Sequence, residues 1–127
     1  MQIKKYTMRI IKGSLANSSV LDGFETRVIE KFENPNWDCL IEVELTRDEI
    51  KTVQKQMVRH YDDPTPWYMD GYEADNRDKI LVAFGADDGE GGQIFTFGRN
   101  DHAAFSKVVE YAKLKGIPEN QMDFLDK

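Results

Sequence analysis

The residue types best suited to chemistry in this sequence lie in one stretch, "DDPTPWYMDGYEADNRD", residues 62–78. Aromatic faces and carboxylates both attract cations, so their combination favours a surface that binds a basic protein partner or a cationic small molecule. The predicted binding residues are Trp67, Tyr68, Asp70, Tyr72 and Glu73. No residue of this stretch is predicted to be catalytic.

The carboxylates of the same stretch suggest an alternative hypothesis, a metal-dependent hydrolase. Its oxygen ligands would be Asp70, Glu73, Asp75 and Asp78. An EF-hand loop needs acidic or amide oxygens at about positions 1, 3 and 5, Gly at 6 and Glu at 12, and this spacing does not match. The run "ADDGEGG" (86–92) also departs from that pattern and is typical of a hairpin turn. We therefore predict neither a metal nor another cofactor.

The two histidines do not form a recognisable catalytic pattern. His60 falls near the end of a predicted helix, and His102 falls in the first turn of another. A general base needs an orienting partner, which only His60 could find nearby, in Asp62 or Asp63. Neither histidine belongs to a zinc-binding motif such as H-E-x-x-H. The sequence therefore favours a non-enzymatic binding domain over an enzyme.

The charge distribution argues against nucleic acid as a partner. Of the 23 acidic and 17 basic residues, nine acidic and two basic ones lie in residues 62–90, a net charge of −7. The remaining 14 acidic and 15 basic residues nearly balance. Nucleic-acid affinity comes largely from Lys and Arg side chains that neutralise phosphates, so this acidic region is unsuited to it.

The length and composition predict one soluble domain over residues 1–127. Hydrophobic residues make up 40% and charged residues 31%. No apolar run approaches the ~18 residues of a membrane span, and the N-terminus lacks the apolar core of a signal peptide. A cytoplasmic location is therefore expected. The single cysteine, Cys39, excludes an internal disulfide and is predicted to be a small buried hydrophobic residue.

The N-terminal third predicts a β-hairpin over residues 1–33. Residues 3–11, "IKKYTMRII", alternate polar and apolar side chains, as a strand does. Residues 24–32, "FETRVIEKF", fit either a strand or a helix. The turn signal at residues 34–36, "NPN", lies directly before another strand pattern and favours the strand.

Residues 37–125 predict the order β-α-β-β-α-β. The first strand is "WDCLIEVEL", followed by a helix that Thr46 and Glu49 begin as a capping box. Two further strands, 79–85 and 93–97, precede a helix capped by Asn100 or Asp101. The remaining predicted strand is "QMDFL" (121–125). This order favours an α+β fold, a ferredoxin-like βαββαβ sandwich with both helices on one face of the sheet.

In this arrangement residues 62–78 form a long crossover between the first helix and the next strand. Most connections have about 4 to 6 residues, and longer ordered loops are often functional. Two interpretations of Trp67 and Tyr68 stay open, because they could cover the core or line a pocket. The oligomeric state also stays open, since a short edge strand could pair with a second copy to form a homodimer.

Overall fold

The computed structural model describes residues 4–35, 37–58 and 65–117. Within these ranges the chain is mixed α+β, with six strands in one sheet and two α-helices. Neither helix combines the length and the apolar composition that crossing a membrane requires.

All neighbouring strands of the sheet run antiparallel. The strands are β1 (Lys5–Ile11), β2 (Thr26–Lys31), β3 (Cys39–Thr46), β4 (Tyr68–Glu73), β5 (Asn76–Phe84) and β6 (Ile94–Gly98). Their order across the sheet is β2-β3-β1-β4-β5-β6. The helices are α1 (Arg47–Gln54), which follows β3, and α2 (His102–Leu114), which follows β6.

The sheet separates two hydrophobic cores, because successive side chains of a strand point to opposite faces. The face that α1 covers, called the α1 face, holds the larger core, which includes Met8, Ile41, Val43, Leu45, Ile50 and Val53. The opposite face, called the α2 face, holds a smaller core that includes Ile80, Val82, Phe97, Val108 and Ala112. Helices therefore lie on both faces of the sheet.

Strand β5 supplies both cores. Ile80, Val82 and Phe84 belong to the α2 face, whereas Leu81 and Ala83 belong to the α1 face. A strand that is buried on both sides reads as a continuous apolar run, which is the pattern of "KILVAFG". The sequence-based prediction of a well-buried strand at this position is confirmed.

The predicted capping residues at the start of each helix are also confirmed. Thr46 Oγ1 accepts a hydrogen bond from the Glu49 amide, and Glu49 Oε1 accepts one from the Thr46 amide, so the predicted capping box begins α1. Asp101 begins α2 by accepting a hydrogen bond from the Ala104 amide. Cys39 is buried as predicted, and burial raises the pKa of its thiol.

The predicted crossover loop over residues 62–78 is wrong at residues 68–73, which form strand β4 between β1 and β5, and at residues 76–78, which begin β5. Asp70 and Gly71 are depleted in strands, and they obscured this element in the sequence. Gly71 has a specific role there, because a Cβ atom at this position would overlap the backbone carbonyl of Thr7 on β1. The missing side chain lets β1 and β4 approach and pair.

The ferredoxin-like arrangement is not confirmed. It would place the two strands that precede helices side by side, yet β3 lies near one edge of the sheet and β6 forms the other. The N-terminal hairpin is not confirmed either. The predicted strand at 24–32 is present as β2, but β3 lies between β1 and β2 and pairs with both. The predicted final strand, 121–125, lies outside the described residues.

Candidate functional site

The five predicted binding residues do not form one surface. Trp67 packs in the core of the α1 face, and Glu73 points to the same side of the sheet. Tyr68 and Tyr72 pack against the core of the α2 face, and Asp70 shares that face by strand alternation. Strand β4 therefore divides the predicted set between its two sides.

Trp67 is a core residue, with 8% of its surface exposed. Its ring packs edge-on against that of Trp37, with 5.9 Å between the centroids. Its carbonyl accepts a 2.8 Å hydrogen bond from the Gly85 amide. Of the two interpretations left open by the sequence, the structure places Trp67 under the α1 face, where it offers little area to a ligand.

The aromatic side chains of the α2 face already have contacts within the chain. The Tyr68 ring lies 6.0 Å from that of Phe84. The guanidinium of Arg77 lies 4.8 Å from the centroid of the Tyr72 ring and donates a 3.3 Å hydrogen bond to the Tyr72 hydroxyl. The cation that was predicted to come from a partner is thus supplied to Tyr72 by Arg77.

The carboxylates of the hydrolase hypothesis do not converge. Asp70 is buried on the α2 face, and Glu73 lies on the α1 face. Asp78 is mostly exposed and lies 3.9 Å from Arg99. Over the ranges that the structure describes, no group of three or more His, Cys, Asp or Glu side chains could hold a metal ion. His102 is exposed at the start of α2, whereas His60, Asp62 and Asp63 lie outside those ranges.

The turn between β5 and β6 is organised by the buried carboxylate of Asp88. Its Oδ1 accepts hydrogen bonds from the amides of Glu90 (2.8 Å) and Gly92 (3.0 Å). Its Oδ2 accepts from the Gln93 amide (3.0 Å) and the Tyr111 hydroxyl (2.5 Å). Burial opposes ionisation, but these hydrogen bonds prevail and hold the pKa of Asp88 below its ordinary value. Asp88 therefore has a structural role.

A cleft of about 320 Å³ on the α1 face is the candidate ligand site. It lies where β1 begins, β4 ends and α1 starts, beside β5 and β6. Three cationic side chains line it: Lys4, Arg47 and Lys79. The remaining lining residues are Tyr6, Glu73, Ile80, Thr96 and Phe97. We call this site the cationic cleft.

Strand pairing brings these distant residues together. Tyr6 lies opposite Glu73 in the β1–β4 ladder and opposite Leu45, two residues before Arg47, in the β1–β3 ladder. Lys79 lies opposite Gly98, so that the start of β5 and the end of β6 form the far side of the cleft. Arg47 is placed by the capping box that begins α1 directly after β3.

The charges of the cationic cleft are poorly balanced. Glu73 is its single carboxylate, and the side chain is only 11% exposed. The nearest cation to it is Lys4, whose Nζ lies 3.7 Å from Glu73 Oε1 while its side chain is 70% exposed. Arg47 and Lys79 form no ion pair or side-chain hydrogen bond with the rest of the described chain. The cleft thus contains cations without counter-ions.

Glu73 is the only one of these lining residues that the sequence predicted as a binding residue. The other polar ones are Lys4, Tyr6, Arg47, Lys79 and Thr96, which come from five separate elements or their ends. These residues show no characteristic spacing in the sequence, because it is the order of the strands in the sheet that brings them close together. Their common location follows only from the β1–β4 and β5–β6 pairings.

Comparison of the chain with protein-family models, curated proteins and solved structures found no match.

Proposed function

We propose that this chain is a non-enzymatic binding domain whose site is the cationic cleft, and that its ligand is a small molecule with an anionic group. The observation that carries this proposal is the presence of three cationic side chains and one carboxylate around a single cleft. These side chains sum to a charge of +2, whereas the chain as a whole has a net charge of −6. The local positive charge therefore favours the binding of an anion in this cleft.

Arg47 and Lys79 are the two cations of the cleft without partners in the described chain. Like charges that face one cleft repel each other, and two unit charges 4 Å apart interact by about 1 kcal/mol even in bulk water. A bound anion replaces this repulsion by attraction. Arg47 can also form two parallel hydrogen bonds to a carboxylate or phosphate, which adds directional preference.

The helix N-terminus contributes little to the attraction. The first turn of α1 contains Asp48 and Glu49, and the capping box occupies the Thr46 and Glu49 amides. The positive end of the α1 dipole therefore already interacts with two carboxylates of the chain itself. The proposed preference for anions depends on the side chains of Lys4, Arg47 and Lys79.

The size and walls of the cleft suit a small molecule. Its volume of about 320 Å³ lies at the low end of ligand sites, which span roughly 300–1,000 Å³. Tyr6 and Thr96 provide hydroxyls, whereas the side chains of Ile80 and Phe97 belong to the core of the α2 face. The lining is more polar than apolar, which suits a small polar ligand.

The proposal keeps the class of function expected from the sequence, a binding domain, but changes the ligand. A basic protein or a cationic small molecule bound by residues 62–78 stays a prediction, as does a cytoplasmic location. The hydrolase alternative also stays a prediction. The cationic cleft is preferred because three cationic side chains and one carboxylate line a single cavity there.

Calorimetric titration with phosphate, sulfate, citrate and succinate tests the proposal. We expect at least one of these anions to bind at millimolar or lower concentration and the affinity to fall as salt is raised. Arg47→Gln and Lys79→Gln should each weaken binding about fivefold, since about 1 kcal/mol of charge interaction corresponds to that factor. In NMR spectra, the backbone amide chemical shifts of Tyr6, Lys79 and Thr96 should change when the anion is added.

The matched control is Lys107→Gln, an exposed residue of α2 that does not line the cleft. It removes the same charge from the protein and should leave the affinity unchanged. Equal weakening by Lys107→Gln would show that net charge alone attracts the anion. That result, or the absence of binding by all four anions, would contradict the proposal.

A further inference from the structure

We infer that the ligand of the cationic cleft is a zwitterion, a small molecule that combines an anionic group with a primary amine. This inference rests on the proposed function and adds to it the role of Glu73. The cations of the cleft would hold the anionic group, and the Glu73 carboxylate would accept hydrogen bonds from the ammonium group. Small amino acids with a carboxylate side chain belong to this class.

The Glu73 carboxylate lacks a short hydrogen bond from the described chain. Its side chain is 11% exposed, and its one ion pair, with Lys4, spans 3.7 Å. Hydrogen bonds between an ammonium and a carboxylate are typically about 2.7–2.9 Å long, so this contact is not one of them. No side chain or amide in the described ranges donates a hydrogen bond to the Glu73 carboxylate.

A role confined to holding Lys4 does not account for Glu73. The Lys4 side chain is 70% exposed, and ion pairs of this exposed kind contribute little to stability. The Glu73 carboxylate oxygens are not sealed from solvent and line the open cleft, so a ligand group can reach them. A ligand ammonium would supply the short, charge-assisted hydrogen bonds that the chain does not.

The placement of the charges favours one ligand with both groups over a simple anion. Glu73 lies at the end of β4, and Lys79 lies on β5, the next strand of the sheet. A simple dianion would meet Glu73 as well as the cations, and like-charge repulsion would oppose its binding. A ligand whose amine faces Glu73 converts this repulsion into attraction.

The test compares two pairs of ligands that differ only by an α-amino group, glutamate with glutarate and aspartate with succinate. Calorimetry on the wild-type chain should give an affinity for at least one amino acid that is about tenfold higher than for its partner. In Glu73→Gln, which keeps the shape but removes the charge, glutarate should bind more tightly and glutamate more weakly. The preference for the amine should then disappear.

The control variant is Glu110→Gln, an exposed residue of α2 outside the cleft, which should keep the wild-type preference. Equal affinities for both members of each pair in the wild-type chain would overturn the inference. If Arg47→Gln and Lys79→Gln still weakened binding, the proposed function would stand without it. Absence of binding by all four compounds would overturn both. The wild-type comparison decides the question even if Glu73→Gln does not fold.

Discussion

The hydroxyl of Tyr111 donates a 2.5 Å hydrogen bond to Oδ2 of Asp88, and this contact ties helix α2 to the turn between β5 and β6. The Asp88 carboxylate also accepts three backbone amide hydrogen bonds within that turn. Because Asp88 is only 4% exposed, protonation or removal of its carboxylate disturbs the hydrogen bonds of four donors at once. We therefore expect the stability of this region to depend on pH through Asp88 and Tyr111.

Acidification should remove the stability that Asp88 contributes. Its pKa is lower in the folded chain than the ordinary value near 3.9, so the unfolded chain takes up a proton first as the pH falls. The contribution is complete above about pH 4 and is lost as the pH falls through the folded pKa. Urea unfolding of wild type and Asp88→Asn, repeated at several pH values, measures it.

We expect Asp88→Asn to lower the free energy of unfolding by about 2–4 kcal/mol at neutral pH, since hydrogen bonds to charged groups contribute about 1.5–3 kcal/mol each. The difference between the two proteins should shrink in acid. Asp75→Asn, on the exposed turn between β4 and β5, provides the comparison and should change stability little. A difference that stayed constant down to the acid limit would contradict this assignment.

Tyr111→Phe should destabilise the chain by about 1–3 kcal/mol at neutral pH, because it removes one donor to a buried carboxylate. Burial and the hydrogen bond to Asp88 raise the pKa of Tyr111, so its contribution is present below the unfolded pKa of about 10 and is lost as the pH rises further. The matched control is Tyr72→Phe, whose hydroxyl only accepts from the exposed Arg77. Equal losses in both variants would argue against a special role for Tyr111.

Gly71→Ala should prevent folding or cost at least about 3 kcal/mol, because the added methyl overlaps the carbonyl of Thr7 in the middle of the sheet. The clash is with backbone, which cannot move without breaking the β1–β4 ladder. Gly98→Ala is the control, since its Cβ would have only Asp101 nearby, at 4.0 Å. Chemical denaturation measures both variants. A stable, unchanged Gly71→Ala protein would show that β4 does not pair with β1 as described.

The sequence predicted those elements whose signals are local. The alternation in β3, the continuous apolar run of β5 and the capping box of Thr46 and Glu49 each depend on neighbouring residues, and all three are present. Strand β4 was missed because its burial is set by partners on both sides, while Asp70 and Gly71 weaken its own pattern. Strand order depends on distant pairings, and the order implied by the predicted ferredoxin-like fold is not confirmed.

The same distinction applies to the candidate site. Glu73 was found because it lies in a conspicuous stretch, whereas Lys4, Arg47 and Lys79 looked like ordinary surface residues. Only the meeting of the β1, β4 and β5 ends with α1 makes them one cleft. The acidic character of residues 62–90 was visible in the sequence, but burial of Asp70 and Asp88 removes part of it from the surface.

Trp67→Ala should lower the free energy of unfolding by about 3–5 kcal/mol, as truncation of a large buried aromatic side chain does. The lost contacts include the edge-on packing against Trp37. Trp67→Phe keeps a ring in the core and should cost clearly less, and chemical denaturation of both variants measures the difference. A loss below about 1 kcal/mol for Trp67→Ala, with binding of a basic partner abolished, would instead favour the surface role first expected for this residue.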